Sequence, residues 1–253
     1  MTGALAATRC GAFETLRVYR GTPFAWRRHT ERLAIAAAAL GIAPPDFDLV
    51  RAGVDDILRA DRFVDARVRV TLVAGEHDEP ADVIVHASAL PPVRPVAHVV
   101  FASWPRNERS AIVGVKSTSY AENVRAFADA RAVDADECIF ANTRGELCEA
   151  TGSNVFVVER GTVRTPPVTS GCLPGVTRAL IIELARADGM PVEEVALPIG
   201  ALASADEAFL TSTTREVQPI ATVEVRSRLE APGPVTQRLA SRFTELVAGN
   251  LDP

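Results

Sequence analysis

The chain has 253 residues, enough for one large domain or two modest ones, and its 47% hydrophobic and 23% charged residues are typical of a globular protein. A net charge of −5 argues against a nucleic-acid-binding protein, because no basic stripe is available for phosphates. No apolar run approaches the roughly 20 residues that span a bilayer, and the first residues do not resemble a signal peptide. The scattered cysteines form no C-x-x-C pair and predict reduced thiols in a cytoplasmic protein, with no metal site: Cys10, Cys138, Cys148 and Cys172.

The first hundred residues predict a small domain of strands and helices. Alternating residues over 12–18 predict a strand, joined by a turn to a second short strand. Apolar residues at helical spacing predict helices over 29–40 and 49–60. Further strands are predicted over 66–73, 83–87 and 96–102. The polar, aperiodic residues 104–110 then predict a linker between an N-terminal domain, 1–103, and a larger C-terminal domain, 111–253.

The second half mixes strands and helices without regular βαβ alternation. A short apolar strand over 111–115 is predicted to deliver Lys116, and a helix follows over 120–132. Further helices are predicted over 176–187 and 235–248, and strands over 137–141, 154–159, 192–196, 208–211 and 217–225. The predicted fold class is therefore α+β, or mixed α/β, and not a doubly wound fold.

The distribution of basic residues directs attention to Lys116. Of the 27 basic residues, 26 are arginine and one is lysine. Arginine cannot be deprotonated in proteins and cannot form an imine, so amine chemistry in this chain depends on Lys116. A lysine at a buried strand end is desolvated, which favours the neutral amine that condenses with an aldehyde. A single lysine surviving by chance on the surface is the alternative.

Other side chains could complete such a site. Tyr120, one of two tyrosines, follows Lys116 by four residues, and Glu149 in a loop of small residues could pair with a protonated ring nitrogen. The segment from Pro174 opens a helix whose free N–H groups suit an anion, and the run from Thr211 to Thr214 offers hydroxyl groups. The chain has no G-x-G-x-x-G, H-E-x-x-H or G-x-S-x-G motif, and Lys116 lacks the spacing of a phosphate-binding loop.

Together these motifs resemble one family. They are Phe13-Glu14-Thr15-Leu16-Arg17-Val18, His29-x-x-Arg32-Leu33, Lys116-S-T-S-Tyr120-A-E-Asn123, Glu149-A-T-G-S-Asn154-V-Phe156, Thr165-Pro166-Pro167, Gly171-C-Leu173-Pro174-Gly175-V-Thr177-Arg178 and Phe209-L-T-S-T-T-R-Glu216-Val217. In this order and spacing the chain resembles the class IV aminotransferases, the fold-type IV pyridoxal-phosphate enzymes. These include branched-chain and D-amino-acid aminotransferases and 4-amino-4-deoxychorismate lyases.

The resemblance implies the cofactor pyridoxal 5′-phosphate and a role for each matching residue. Lys116 would be the Schiff-base lysine, Tyr120 would face the ring oxygen and Glu149 the pyridine nitrogen. The phosphate would be held by Arg32, the Val176 and Thr177 amides and Thr213. Ser212 would be a further cofactor-binding residue, in a turn that also approaches the substrate carboxylate. Thr214 would approach the substrate carboxylate, and Arg69 is either a second substrate-binding residue or an ordinary strand residue. The resemblance also implies a two-domain fold with the cofactor between the domains, and a homodimer.

The resemblance leaves the reaction open. An aminotransferase would move an amino group between an amino acid and a 2-oxo acid through a Lys116 aldimine, whereas a lyase would release pyruvate from aminodeoxychorismate. A non-catalytic relative that binds the cofactor is a third possibility. The Arg-x-His carboxylate trap of D-amino-acid enzymes is missing from residues 74–79, and only two tyrosines are present, whereas branched-chain enzymes line their pocket with tyrosine. We expect an aminotransferase ahead of a lyase.

Overall fold

The computed structural model describes residues 10–75, 80–224 and 227–253. Its internal contacts divide the chain into two compact units. The first comprises the described residues up to Pro91 together with Val115–Tyr120 and Gly249–Pro253. The second comprises the described residues of Pro92–Gly114 and Ala121–Ala248.

The first unit is an antiparallel sheet with two helices. Its strands lie in the order β2-β1-β3-β4, with bounds β1 Gly11–Tyr19, β2 Thr22–Pro23, β3 Ala66–Val73 and β4 Asp82–Ser88. The helices are α1 Trp26–Ala39 and α2 Phe47–Ala60. Every second residue of β3, from Ala66 to Leu72, is buried, as expected for a strand with one face on a core. The helices cover that face with Leu33 of α1 and with Val54 and Leu58 of α2.

The segment that contains Lys116 is attached to β1 by backbone hydrogen bonds. The N–H of Phe13 donates to the carbonyl of Lys116 at 2.9 Å, and the N–H of Thr118 donates to the carbonyl of Gly11 at 2.8 Å. A Cβ at Gly11 would lie 2.7 Å from the carbonyl oxygen of Leu72 and 3.0 Å from the Thr118 side chain. Glycine at this position therefore allows the lysine segment to approach the sheet closely.

The described residues of the second unit form nine strands and four helices. The strands are β5 Ala97–Phe101, β6 Glu137–Ala141, β7 Leu147–Ala150, β8 Asn154–Glu159, β9 Thr162–Thr165, β10 Val192–Glu194, β11 Glu207–Ser212, β12 Glu216–Val223 and β13 Ser227–Arg228. The helices are α3 Ala121–Ala132, α4 Val176–Ala187, α5 Ala201–Ser204 and α6 Pro234–Gly249. A 3-10 turn spans Val168–Ser170.

These strands form one mixed sheet in the order β10-β9-β8-β11-β12-β5-β6-β7, with β13 paired to β12. β5 runs parallel to both β6 and β12, while β6 pairs antiparallel with β7. The central strands β6, β8 and β11 are buried almost throughout, and the aromatic rings of Phe156 and Phe209 stack at 4.8 Å between centroids. The mixture of parallel and antiparallel strands with unevenly spaced helices confirms the predicted α+β class.

Two local predictions were wrong. Residues 111–114 form a turn instead of a strand, with Ile112 and Val113 more than a third exposed and with Gly114 at a φ of +72°. The apolar composition favoured a strand, but the positive φ of Gly114 turns the chain before Lys116. Glu149 lies in strand β7 and not in a loop, because Leu147–Ala150 pairs with the preceding strand β6.

The contact units do not follow the predicted division of the chain. Residues 104–110, predicted as a linker, group with the second unit, and Lys116, predicted in the C-terminal domain, groups with the first. The division into domains at 1–103 and 111–253 stays a prediction about how the chain folds and moves.

Candidate active site

Lys116 lies against a buried aromatic ring. Its Nζ atom is 4.7 Å from the centroid of Phe13 and 5.9 Å from that of Tyr120. The Tyr120 ring meets Phe13 edge-on at 5.5 Å between centroids. Phe13 is 4% exposed, so it forms a fixed surface for both side chains. The single lysine and the predicted ring-oxygen partner therefore share one support.

Arg69 belongs to the same cluster. Its guanidinium carbon stands 3.7 Å from the centroid of Phe13, and its Nε donates to Thr71 Oγ1 at 3.3 Å. Partial burial lowers the pKa of Arg69 from its usual value, and the nearby Tyr120 opposes this shift. Strand β3 thus directs Arg69 to the surroundings of Lys116. The role of Arg69 in substrate binding stays a prediction.

Glu14 holds Arg32 within a buried cluster that also includes His29. Glu14 accepts hydrogen bonds from Arg32 Nε at 2.6 Å and from Arg32 Nη2 at 2.7 Å, and His29 Nδ1 is 2.7 Å from Glu14 Oε2. Burial would raise the pKa of Glu14, but Arg32 and His29 together hold it well below its usual value. Burial also lowers the pKa of His29, against the opposing effect of Glu14. Arg32, predicted to hold phosphate, therefore has an orientation fixed by a two-point carboxylate contact.

The second unit places Glu149 in a defined polar environment. Glu149 pairs with Phe140 across β6 and β7, and its side chain is 14% exposed. Oε2 accepts a hydrogen bond from the Leu173 N–H at 2.9 Å. Arg106 Nη2 lies 3.6 Å from Oε1. A positioned, largely buried carboxylate with cationic support is a chemically suitable partner for a protonated ring nitrogen.

The N-terminus of α4 is open toward an anion. Its N-cap is Gly175, which has no side chain to cap the helix, and the first turn has no acidic residue. A Cβ at Gly175 would overlap Asn154 Oδ1. Asn154 Nδ2 in turn donates to the Leu173 carbonyl at 2.9 Å, so the segment before the helix is fixed at several points. The first helical residues are Val176 and Thr177, whose N–H groups point toward the helix start.

The end of β11 supplies hydroxyl groups beside that helix. Thr211 pairs with Asn154 across β8 and β11, and α4 packs against β11. Thr211 Oγ1 is buried without a hydrogen-bond partner, which is unusual for a buried hydroxyl. Ser212 Oγ accepts from the Arg215 N–H at 3.2 Å, which fixes the turn that continues through Thr213 and Thr214.

These observations fit pyridoxal phosphate, the cofactor that the resemblance implies. An uncapped helix N-terminus beside an unpaired buried hydroxyl suits a phosphate group, and Gly175 is required there because a side chain would overlap Asn154. Glu149 accepts from Leu173, two residues before the N-cap, so the carboxylate is hydrogen-bonded to the segment that leads into α4.

The sequence did not reveal every residue of this arrangement. Phe13 supports Lys116, and the only indication was its position beside Glu14 in the first matching motif. Arg106 lies in the segment predicted as a linker, where a polar composition concealed its contact with Glu149. Neither contact follows from local spacing, since strand pairing brings distant residues together.

Some expectations concern other kinds of site. Within 10–75, 80–224 and 227–253, no cluster of three or more His, Cys, Asp or Glu side chains could hold a metal ion. In the same residues, no helix combines the length and apolar character needed to cross a membrane. Residues 76–79, where the D-specific trap would lie, are outside the described part of the chain.

The sequence matches known proteins over nearly its whole length. The family described as amino-transferase class IV matches residues 11–223. A Methanocaldococcus jannaschii protein named as a candidate branched-chain-amino-acid aminotransferase is 30% identical, over 93% of this chain and 86% of its own. The D-alanine aminotransferase of Listeria innocua is also 30% identical, over 93% and 86% of the two chains.

Solved structures share the fold. A candidate 4-amino-4-deoxychorismate lyase from Legionella pneumophila has a TM-score of 0.88 at 26% identity, covering 93% of this chain and 90% of its own. The branched-chain aminotransferase of Thermobaculum terrenum, solved in its PLP form, has a TM-score of 0.86 at 28% identity, covering 94% and 85%. The family match, the shared fold and the arrangement of side chains lead to one conclusion: the chain belongs to the class IV aminotransferases, a family of enzymes that use pyridoxal phosphate.

Proposed function

We propose that this enzyme transfers an amino group between an amino acid and a 2-oxo acid, with pyridoxal phosphate bound covalently to Lys116. The observation that carries the proposal is the position of the one lysine, 4.7 Å from a buried ring and beside Tyr120. When bound, the cofactor supplies an electron-withdrawing ring that acidifies the α-hydrogen of the substrate. Once the substrate amine has displaced Lys116 from the cofactor, the freed amine can accept that proton at Nζ and return it later in the transfer.

The remaining cofactor contacts are assigned to residues with suitable chemistry. Tyr120 is assigned to the ring oxygen, and Glu149 keeps the ring nitrogen protonated by presenting an ionised carboxylate. The phosphate is assigned to the α4 N–H groups of Val176 and Thr177, the hydroxyl groups of Ser212 and Thr213, and the guanidinium of Arg32. The open helix N-terminus and the fixed orientation of Arg32 support these assignments.

Substrate recognition is assigned to Arg69 and Thr214. Arg69 stacks on the ring that also supports Lys116, so its guanidinium can hold a substrate carboxylate while the amine stays near the reacting carbon. Thr214 lies in the turn after β11, next to the hydroxyl groups assigned to phosphate. Both residues orient the substrate and do not take part in proton transfer.

A lyase acting on 4-amino-4-deoxychorismate is the second candidate function. The similarity to the Legionella structure favours it, as does the presence of only two tyrosines. Lys116, Glu149 and the phosphate residues would serve both reactions, because each begins with loss of the same α-hydrogen. The substrate side of the site decides between the two.

We also propose that the enzyme is a cytoplasmic homodimer. The family resemblance supports the dimer, and α3 exposes Val124 and Phe127, which lie three residues apart on one face of the helix. A light-scattering mass near twice 27.0 kDa is expected. A mass of one chain over the working concentration range would refute the dimer.

The covalent role of Lys116 is tested by absorption spectroscopy with added pyridoxal phosphate. The wild-type enzyme is expected to gain a visible band, and Lys116→Ala to lack it. Lys116→Arg is the matched control, since it keeps the charge but cannot condense with an aldehyde. A visible band that persists in both variants would show that another group binds the cofactor.

The reaction is tested by adding L-glutamate, D-alanine or aminodeoxychorismate to separate samples. A transaminase is expected to lose the visible band with an amino acid, and the reactive enantiomer identifies the branch of the family. The lyase would instead release pyruvate from aminodeoxychorismate and leave the band intact with amino acids. A band that no donor changes would contradict both activities and indicate a non-catalytic relative.

A further inference from the structure

Arg106 is a largely buried arginine that contacts four other side chains. Its guanidinium carbon lies 4.2 Å from the ring centroid of Phe140, and its side chain is 15% exposed. Nη1 donates to Glu122 at 3.2 Å, Nη2 donates to Asn123 at 3.1 Å, and Nη2 is 3.6 Å from Glu149 Oε1. The cation is therefore enclosed by an aromatic face, two acceptors and the carboxylate assigned to the ring nitrogen.

The backbone and the nearest acceptor of Arg106 are also fixed. The Arg106 N–H donates to the Ala141 carbonyl at 2.7 Å, and a parallel bridge joins Arg106 to Asn142. Asn123, which is buried, donates through Nδ2 to the Thr151 carbonyl at 2.8 Å. Arg106 is thus held both at its backbone and at its guanidinium group, and the surrounding fold sets its distance from Glu149.

The pair of Glu14 and Arg32 gives a comparison within the same chain. Arg32 contacts Glu14 through two nitrogens at 2.6 and 2.7 Å, which engages both carboxylate oxygens. Arg106 Nη2 lies 3.6 Å from Glu149 Oε1, a longer distance than either contact between Arg32 and Glu14, and Arg106 also donates to Glu122 and Asn123. Glu149 therefore has a nearby cation at Oε1, while its Oε2 accepts from the Leu173 N–H at 2.9 Å.

We infer that Arg106 is a positioning residue that keeps the Glu149 carboxylate ionised and oriented toward the ring nitrogen. It thereby keeps that nitrogen protonated in the bound cofactor. The inference rests on the proposed function, in which Glu149 faces that nitrogen. A cation beside a largely buried carboxylate opposes transfer of a proton onto it, because protonation would remove the attraction between the two charges. Without Arg106, the proton is expected to shift from the ring nitrogen toward Glu149.

The test compares the wild type with two neutral variants, Arg106→Gln and Arg106→Met, each loaded with pyridoxal phosphate labelled with ¹⁵N in the ring. In both variants the ring ¹⁵N resonance is expected to move toward the position of the unprotonated ring. The kcat is expected to fall by about ten-fold or more, since the remaining buried charge is poorly compensated. The Kd for pyridoxal phosphate is expected to stay within about three-fold, because the residues assigned to phosphate are unchanged.

Two further variants separate charge from general damage. Arg106→Lys keeps the cation and is expected to hold the resonance near the wild-type position. Arg109→Gln removes the same charge from a side chain that is 83% exposed, and is expected to leave both resonance and kcat unchanged.

The outcomes distinguish this inference from the function on which it rests. If the wild type binds no cofactor, the proposed function fails. If it binds the cofactor with a protonated ring nitrogen and both neutral variants keep that resonance, the role of Arg106 is refuted while the function stands. Loss of folding in both neutral variants would make Arg106 a purely structural residue and would also overturn the inference.

Discussion

Phe13 supports three side chains with different chemistry. Lys116, Tyr120 and Arg69 all contact its ring, so a single buried residue sets the spacing between an amine, a phenol and a guanidinium. Composition directed attention to Lys116, because it is the one lysine among 27 basic residues, and the surrounding motifs then supported a role for it. Composition could not predict the partners of Lys116, because strand pairing within the first unit is what brings Arg69 to the same ring.

Replacing Arg69 tests the assignment of the substrate carboxylate. Arg69→Gln is expected to raise the KM for the amino acid by about ten-fold, because one charge-assisted contact is lost, and to leave kcat within about three-fold. Steady-state kinetics measure both constants. Arg59→Gln, on the exposed surface of α2, is the control and should match the wild type. An equal fall in kcat and kcat/KM would instead indicate an interaction made only in the transition state.

The triad of Glu14, His29 and Arg32 makes stability depend on pH. The buried His29 has a pKa below its usual 6.5, so the unfolded chain binds a proton first as the pH falls. The stability that His29 contributes is therefore complete above pH 6.5 and is lost below it. Glu14, whose pKa is below its usual 4.5, adds a second loss as the pH falls below that value.

Urea unfolding at pH 7.0 and at pH 5.5 measures the first loss. The wild type is expected to lose about 1 kcal/mol of unfolding free energy through His29 between these two values, and His29→Gln is expected to lose less. His86→Gln, on an exposed position of β4, is the control for histidine replacement. Identical pH dependence of wild type and His29→Gln would contradict a neutral, buried His29.

The start of helix α4 is closely packed. Its N-cap is glycine, its first turn has no acidic side chain, and Asn154 occupies the space that a Cβ would need. Gly200 of α5 is also an N-cap glycine, but there an added Cβ would have no atom within 4 Å. Both glycines are N-cap residues, but only at Gly175 would a side chain overlap a neighbouring residue.

This difference predicts that replacing each glycine by alanine will affect cofactor binding differently. Gly175→Ala is expected to weaken pyridoxal phosphate binding by at least about ten-fold, because Asn154 and the helix start must move apart. Gly200→Ala is expected to leave the Kd unchanged. Fluorescence titration of the apoenzyme gives both constants. Equal Kd values for Gly175→Ala and the wild type would remove α4 from the phosphate site.

The elements themselves were predictable to different degrees. Both helices of the first unit and strand β3 follow from hydrophobic periodicity, since each has one face in a core. Strand β7 did not, because four residues with Glu149 among them have no clear alternation and depend on pairing with β6. The apolar residues Ile112 and Val113 wrongly predicted a strand, because they lie partly exposed in a turn.

At the scale of the whole molecule, chain order and compact units differ. The first unit includes two segments that are distant in sequence from its other residues, Val115–Tyr120 and Gly249–Pro253. The Ala25 N–H donates to the Leu251 carbonyl at 2.7 Å, and the Arg27 N–H donates to Asp252 Oδ1 at 3.0 Å. Asp252 thereby supplies the cap that the N-cap Ala25 of α1 lacks. Long-range contacts of this kind leave no periodic pattern in the sequence.

Removing residues 251–253 tests the contribution of this returning segment. The unfolding free energy of the first unit is expected to fall by about 1–2 kcal/mol, through the lost cap and the lost backbone hydrogen bond. Denaturant unfolding measures the change. Asp252→Asn is the control, because asparagine also caps helices and should retain most of the stability. Unchanged stability after truncation would show that α1 does not depend on the segment.

The isolation of Lys116 among 26 arginines also gives the protein a single side-chain amine for chemical labelling. Amine-selective reagents such as activated esters pass over guanidinium groups, so any side chain they modify is Lys116. One mass increment on the peptide that contains Lys116 then reports how accessible the site is, without a mutation. Protection of that peptide by an aldehyde, a substrate or an inhibitor would turn the label into an occupancy assay for unmodified enzyme.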